Sequence, residues 1–66
     1  MKFTKFIKPE LEHIKENANF TEEEEMIFSL LCRGYSQKQI STKENASLRT
    51  IEYRVRGIKD KIERII

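Results

Sequence analysis

The sequence predicts an all-α fold: a small four-helix domain containing a helix-turn-helix, with a long basic recognition helix last. Three observations predict it. The chain carries 38% hydrophobic and 36% charged residues but only two glycines and one proline, the composition of a short bundle with charged faces rather than of a β-sandwich. Serine or threonine stands at three places where a helix can start, at Thr21, Ser36 and Ser47. Apolar residues then recur at spacings of three and four, the period of a helix with one buried face. At 66 residues the chain supports one small core, which leaves little room for a catalytic cleft between subdomains.

Residues 1–19 read as an N-terminal arm and a short helix, and residues 20–66 as the helix-turn-helix region, together one compact domain. The first eight residues mix Lys2, Lys5 and Lys8 with Phe3, Phe6 and Ile7 without a period. They form an arm, with Phe6 and Ile7 the residues expected to dock on the core. At Pro9 the pattern changes. Proline suits the first helical position because its missing N–H would be an orphan there anyway, and Glu10 and Glu12 favour the positive helix start. Ile7, Leu11, Ile14 and Ala18 lie on one stripe, which predicts a helix over 9–17 that Asn17 and Asn19 terminate.

Thr21-x-x-Glu24 is a capping box, in which each side chain satisfies an orphan amide of the other residue, and Glu22, Glu23 and Glu25 add negative charge at the same helix end. The second helix buries Ile27, Phe28, Leu30 and Leu31 with Met26, and Gly34 is placed to stop it in a left-handed conformation. Ser36-x-x-Gln39 opens a third, short helix ending near Glu44 or Asn45, with Tyr35 and Ile40 as a hydrophobic staple. Ser47 caps the fourth, with Ala46 and Ile51 as a weaker staple. There Ile51, Val55, Ile58, Ile62 and Ile65 form one inward stripe, and Gly57 inside it marks either a close helix contact or a tolerated weakness.

Charge divides unevenly along the chain. Residues 1–34 hold five Lys/Arg against seven Glu, whereas residues 35–66 hold eight Lys/Arg against four Asp/Glu. Two capped helices, the second of them joined by a short turn around Asn45 and Ala46 to a basic helix, have the organisation of a helix-turn-helix. In that arrangement one helix braces the backbone and the next enters a major groove wide enough to admit it. The alternative is an ordinary helical hairpin with a solvated basic face.

The run Phe20-Thr21-x-x-Glu24-x-x-Ile27-Phe28-x-Leu30-Leu31-x-x-Gly34-Tyr35-Ser36-Gln37-Lys38-Gln39-Ile40-Ser41 resembles the start of the LuxR-type (GerE-like) DNA-binding domain. It continues as Ser47-x-x-Thr50-Ile51-x-x-x-Val55-x-x-Ile58-x-x-Lys61-Ile62, so the resemblance covers residues 20–62. Arg54 stands where that family usually has histidine, a choice it shares with the fourth region of bacterial sigma factors. Glu44 replaces a buried leucine, Glu23 replaces a frequent arginine, and the family's last helix, often its dimer contact, is missing after Lys61-Ile62. The resemblance implies a bacterial or phage transcription regulator that binds double-stranded DNA, with its oligomeric state open.

With Ile51, Val55 and Ile58 inward, Arg49, Tyr53 and Arg56 share an outward stripe. Positions 52, 53 and 56 also match base-contacting positions of the family, so the resemblance adds Glu52 to the base-reading candidates Arg49, Tyr53 and Arg56. Glu52 has two readings, as an acceptor from a cytosine amine or as an i,i+4 partner that holds Arg56; the second is slightly favoured. Lys38, Thr50, Arg54 and Lys61 are the phosphate candidates, with plain helix-dipole compensation the alternative for Lys61. The late stripe Ile58, Ile62, Ile65 and Ile66 is more apolar than a monomer's last helix needs. It is a candidate surface for a homodimer, or for RNA polymerase or another regulator if the protein is a sigma-like or anti-sigma adaptor.

The remaining features point to no chemistry. Glu22 to Glu25 lack the glycine-containing loop of an oxygen-ligand cation site, Cys32 reads as a small buried hydrophobe, and His13 lies on a charged face. The arm lysines read as a tail, with a minor-groove contact the alternative. No phosphate-cradling glycine loop, zinc-ligand set or Ser/His/Asp set is present, so the expectation is a non-enzyme without cofactor or metal. A single cysteine and the lack of a signal peptide or membrane-length apolar run point to the cytoplasm, with no membrane partner. Met1 and the absence of a linker favour a complete protein.

Overall fold

Side-chain caps decide where the helices begin. Thr21 Oγ1 accepts the Glu24 amide at 3.2 Å while Glu24 Oε1 accepts the Thr21 amide at 3.0 Å. Ser36 and Gln39 make the same reciprocal pair at 3.1 and 2.8 Å, and Ser47 Oγ accepts the Thr50 amide at 3.1 Å. These starts open α2 (Glu22–Cys32), α3 (Gln37–Lys43) and α4 (Leu48–Glu63). The first helix, α1 (Lys8–Asn17), follows Ile7, which has no side-chain acceptor to offer; Glu10 Oε1 instead accepts the Ile7 amide at 2.9 Å. A 3-10 turn at Phe3–Lys5 precedes it. The computed structural model describes residues 2–66, and it has four α-helices and no strand among them. The fold is a small all-α domain.

Two joints stop their helices in the same way. After α2 the Tyr35 amide donates to the Leu30 carbonyl and the Gly34 amide to the Leu31 carbonyl, a Schellman motif with Gly34 at φ +98°. After α3 the Ala46 amide donates to Ser41 and the Asn45 amide to Thr42, with Asn45 at φ +54° in place of glycine. Asparagine tolerates this left-handed conformation better than other side-chain-bearing residues do. Asn19, just after α1, is the third such position, at φ +57°.

The core gathers Ile14 from α1, Ile27, Phe28, Leu30 and Leu31 from α2, Ile40 from α3, and Ile51, Val55, Ile58 and Ile62 from α4. Phe28 is wholly buried, and the rings of Phe3, Phe6 and Phe20 lie 6.0, 6.2 and 5.2 Å from it. The arm is therefore packed onto the fold. Phe3 and Phe6 dock, whereas Ile7, expected to do so, is 62% exposed because it sits at the helix entry. Met1, also assigned to the arm, lies outside the described residues. His13 Nε2 donates to the Ile65 carbonyl at 3.4 Å and Nδ1 accepts from Asn17 at 3.2 Å, tying α1 to the end of the chain.

The inward stripe of α4 corrects one expectation. Ile58 and Ile62 are both 0% exposed and belong to this chain's own core, so they form no part of a dimer or partner surface. The reason is geometric: α4 lies against α2 and α3, whose apolar faces occupy the stripe along its length. Ile65 is partly buried against the same core, and only Ile66 is open, at 72%.

Candidate nucleic-acid interface

The sixteen residues of α4 present two faces with different fates. Burial of Ile51, Val55, Ile58 and Ile62 turns the opposite side outward, and the helical period places Arg49, Glu52, Tyr53 and Arg56 there. These four line one shallow depression and all are exposed, Tyr53 at 69%. The four base-reading candidates thus come together. No ion pair joins Glu52 to Arg56 among the described residues, contrary to the favoured expectation for Glu52. Both charged groups face solvent, where an i,i+4 pair contributes only about 0.3–0.5 kcal/mol.

The phosphate candidates separate. Thr50 and Arg54 border a second depression with Ser47, Arg49 and Tyr53, at the α4 start. Thr50 is also in the cap, its hydroxyl 2.8 Å from Ser47 Oγ. Lys38 is exposed on α3, beside a third depression shared with Tyr35, Ser36, Gln39, Thr42 and Lys43. Lys43 Nζ stands 6.0 Å above the Tyr35 ring, a cation–π contact that steadies this cation. Lys43 is a cationic candidate the sequence reading missed. Its only signal was a second lysine on the same short helix as Lys38, with an aromatic eight residues earlier.

Lys61 is corrected more strongly. Its Nζ lies 2.5 Å from Glu24 Oε1 and 3.2 Å from the Asn19 carbonyl, so it braces α4 against the start of α2 and is not presented to a phosphate. Lys61 also stands in the last turn of α4, where a cation complements the helix dipole, as its alternative reading expected. Burial pushes the Glu24 carboxyl up, but hydrogen bonds from Lys61 and the Thr21 amide and the Lys61 charge outweigh it, holding Glu24 below the usual carboxylate range. Arg54 is also paired. Its Nε is 2.5 Å from Glu23 Oε1, with Arg54 and Glu23 side chains 42% and 57% exposed. That Nε is shielded from solvent and makes no aligned hydrogen bond, so the contact is a charge pair.

Elsewhere the side chains offer little reactivity. Burial pushes the Cys32 thiol up, and the nearby Lys15 charge offsets this only in part, which works against a thiolate there. Among the described residues no three His, Cys, Asp or Glu are grouped to hold a metal ion, and no helix is long and apolar enough to cross a membrane. No protein-family model, curated protein or solved structure matches the chain.

Proposed function

We propose that α3 and α4 act as a helix-turn-helix that binds double-stranded DNA in a sequence-specific manner, making the protein a small transcription regulator rather than an enzyme. The observation that carries this reading is the convergence of Arg49, Glu52, Tyr53 and Arg56 on one exposed face of a helix whose opposite face is fully packed. A helix held that rigidly can lie in a major groove and offer guanidinium groups to guanine, a carboxylate to cytosine and an aromatic edge to a thymine methyl. Lys38 and Thr50 flank that face as backbone contacts. The resemblance to LuxR-type domains over residues 20–62 supports the same reading, as does the basic surplus of residues 35–66. Regulation through promoter occupancy fits a reducing, cytoplasmic setting and requires no cofactor.

Selection from a random duplex library, followed by titration of the enriched and scrambled duplexes across salt, tests it. An enriched motif is expected, with Arg56→Ala losing discrimination at one base pair by about 1–3 kcal/mol and Lys38→Ala weakening both duplexes alike. Equal, steeply salt-dependent binding to both duplexes overturns sequence-specific recognition.

A second reading, a protein-interaction adaptor for RNA polymerase or another regulator, rests on a different observation. Phe6, Pro9, His13, Ile14, Ile65 and Ile66 line a mainly apolar groove between α1 and the end of α4. The partner surface expected along α4 contracts to this groove. Light scattering across concentration separates a self-associating chain from a monomer, and pull-down with purified RNA polymerase tests the adaptor directly.

A further inference from the structure

Two of the three cations first assigned to phosphate contact, Arg54 and Lys61, are held by carboxylates at the start of α2, and the two pairs differ in kind. Glu24 serves the capping box and the half-buried Lys61, so it belongs to the fold. Glu23 does neither. It is exposed, takes no part in the cap, and among the described residues its ion-pair partner is Arg54. Resting on the DNA-binding reading above, we infer that Glu23 masks Arg54 and thereby sets the strength and salt dependence with which the α4 face holds nucleic acid.

The argument is electrostatic. Arg54 borders the same depression as Arg49, Thr50 and Tyr53, where a phosphate would approach. In the free protein its charge is met by the Glu23 carboxylate at 2.5 Å. A phosphate must displace that carboxylate or share the guanidinium with it, and in either case the Glu23 negative charge stays close to the DNA backbone. Because the contact is a charge pair without an aligned hydrogen bond, an uncharged amide of the same shape does not preserve it. Glu23→Gln therefore frees Arg54 while leaving the α2 cap intact.

The test compares Glu23→Gln with Glu22→Gln, each alone and combined with Arg54→Ala, in titrations against the selected duplex across salt. Glu22 is an exposed neighbour with no ion pair among the described residues, and its variant changes net charge equally. Breaking an exposed pair is worth a modest factor, so Glu23→Gln is expected to bind about 1.5- to 5-fold tighter than Glu22→Gln. Its salt slope should steepen by up to about 0.9, the increment for one added phosphate contact. Arg54→Ala should abolish that difference while costing the wild type little. Equal binding by the two glutamine variants, or a Glu23→Gln gain that survives Arg54→Ala, overturns the masking role alone. Absence of duplex binding by every variant, including the wild type, overturns the DNA-binding reading with it.

Discussion

Replacing Lys61 with methionine removes one charge from a contact that joins three parts of the fold. Glu24 Oε1 receives both Lys61 Nζ and the Thr21 amide, and the same ammonium reaches the Asn19 carbonyl. The side chains of Lys61 and Glu24 keep 28% and 12% of their exposure, so the pair is largely but not wholly shielded. Stranding a fully buried charge costs about 3–5 kcal/mol, whereas an exposed pair contributes about 0–1. A partly shielded pair belongs between them, and methionine retains the aliphatic packing, so a loss of about 1–2.5 kcal/mol is expected at neutral pH. For a domain of this size that lowers the melting temperature by roughly 5–15 °C, measured by far-ultraviolet circular dichroism. The pH dependence is the sharper test. Glu24 lies below its ordinary value in the fold, so its contribution is fully present above the unfolded carboxyl pKa of about 4.3 and is lost as pH falls through the lower folded value. Without Lys61 the burial that raises the Glu24 pKa persists while the opposing contacts from Lys61 vanish, so the variant takes up a proton sooner and the stability gap narrows on acidification. A melting temperature within about 2 °C of wild type at neutral pH, or a gap that stays constant down to acid, refutes the bracing role.

Three further outcomes follow from the packing. Gly57→Ala should stabilise the protein by up to about 1 kcal/mol in urea unfolding, because a Cβ there meets only Glu24 Oε2 at an ordinary 3.5 Å; destabilisation would reveal a close helix contact after all. Ile62→Ala should cost about 2–5 kcal/mol and Ile66→Ala less than about 0.5, and similar losses from both would contradict the division between core and surface. Phe3→Ala should lower stability by about 1–3 kcal/mol in the same assay, since its ring packs edge-on to Phe28; a neutral result would mean the arm is not docked in solution.

What the sequence made legible was local. Each of the three serine or threonine caps appears where its motif stands, because the capping partners are three residues apart and need no tertiary context. Gly34 was readable as a stop for the same reason, while Asn45, in the equivalent place, carried a weaker signal because asparagine has many other uses. The docking of Phe3 was hidden because its partner Phe28 belongs to another element and the arm has no period. The stripe of α4 was legible as apolar but not as core. Periodicity tells which face is buried, and only the positions of α2 and α3 tell that this chain itself buries it.

The same distinction sorts the cations of α4. All were alike as letters in a basic helix, yet the approach of the α2 start, brought close by the shared core, pairs two of them with glutamates more than thirty residues away. Lys61 becomes part of the structure and Arg54 is neutralised at the edge of the exposed face. Arg49 and Arg56 make no ion pair among the described residues, and they flank Tyr53 on the side turned away from α2. Tertiary packing thus pairs two of the five cations of α4 and leaves Arg49 and Arg56 as free guanidinium charges on one face beside Tyr53, with Lys59 the remaining unpaired cation among the described residues. That is the feature a groove-reading surface requires, because contacts that are few and fixed in direction discriminate between bases, whereas a helix basic on every side only binds the backbone.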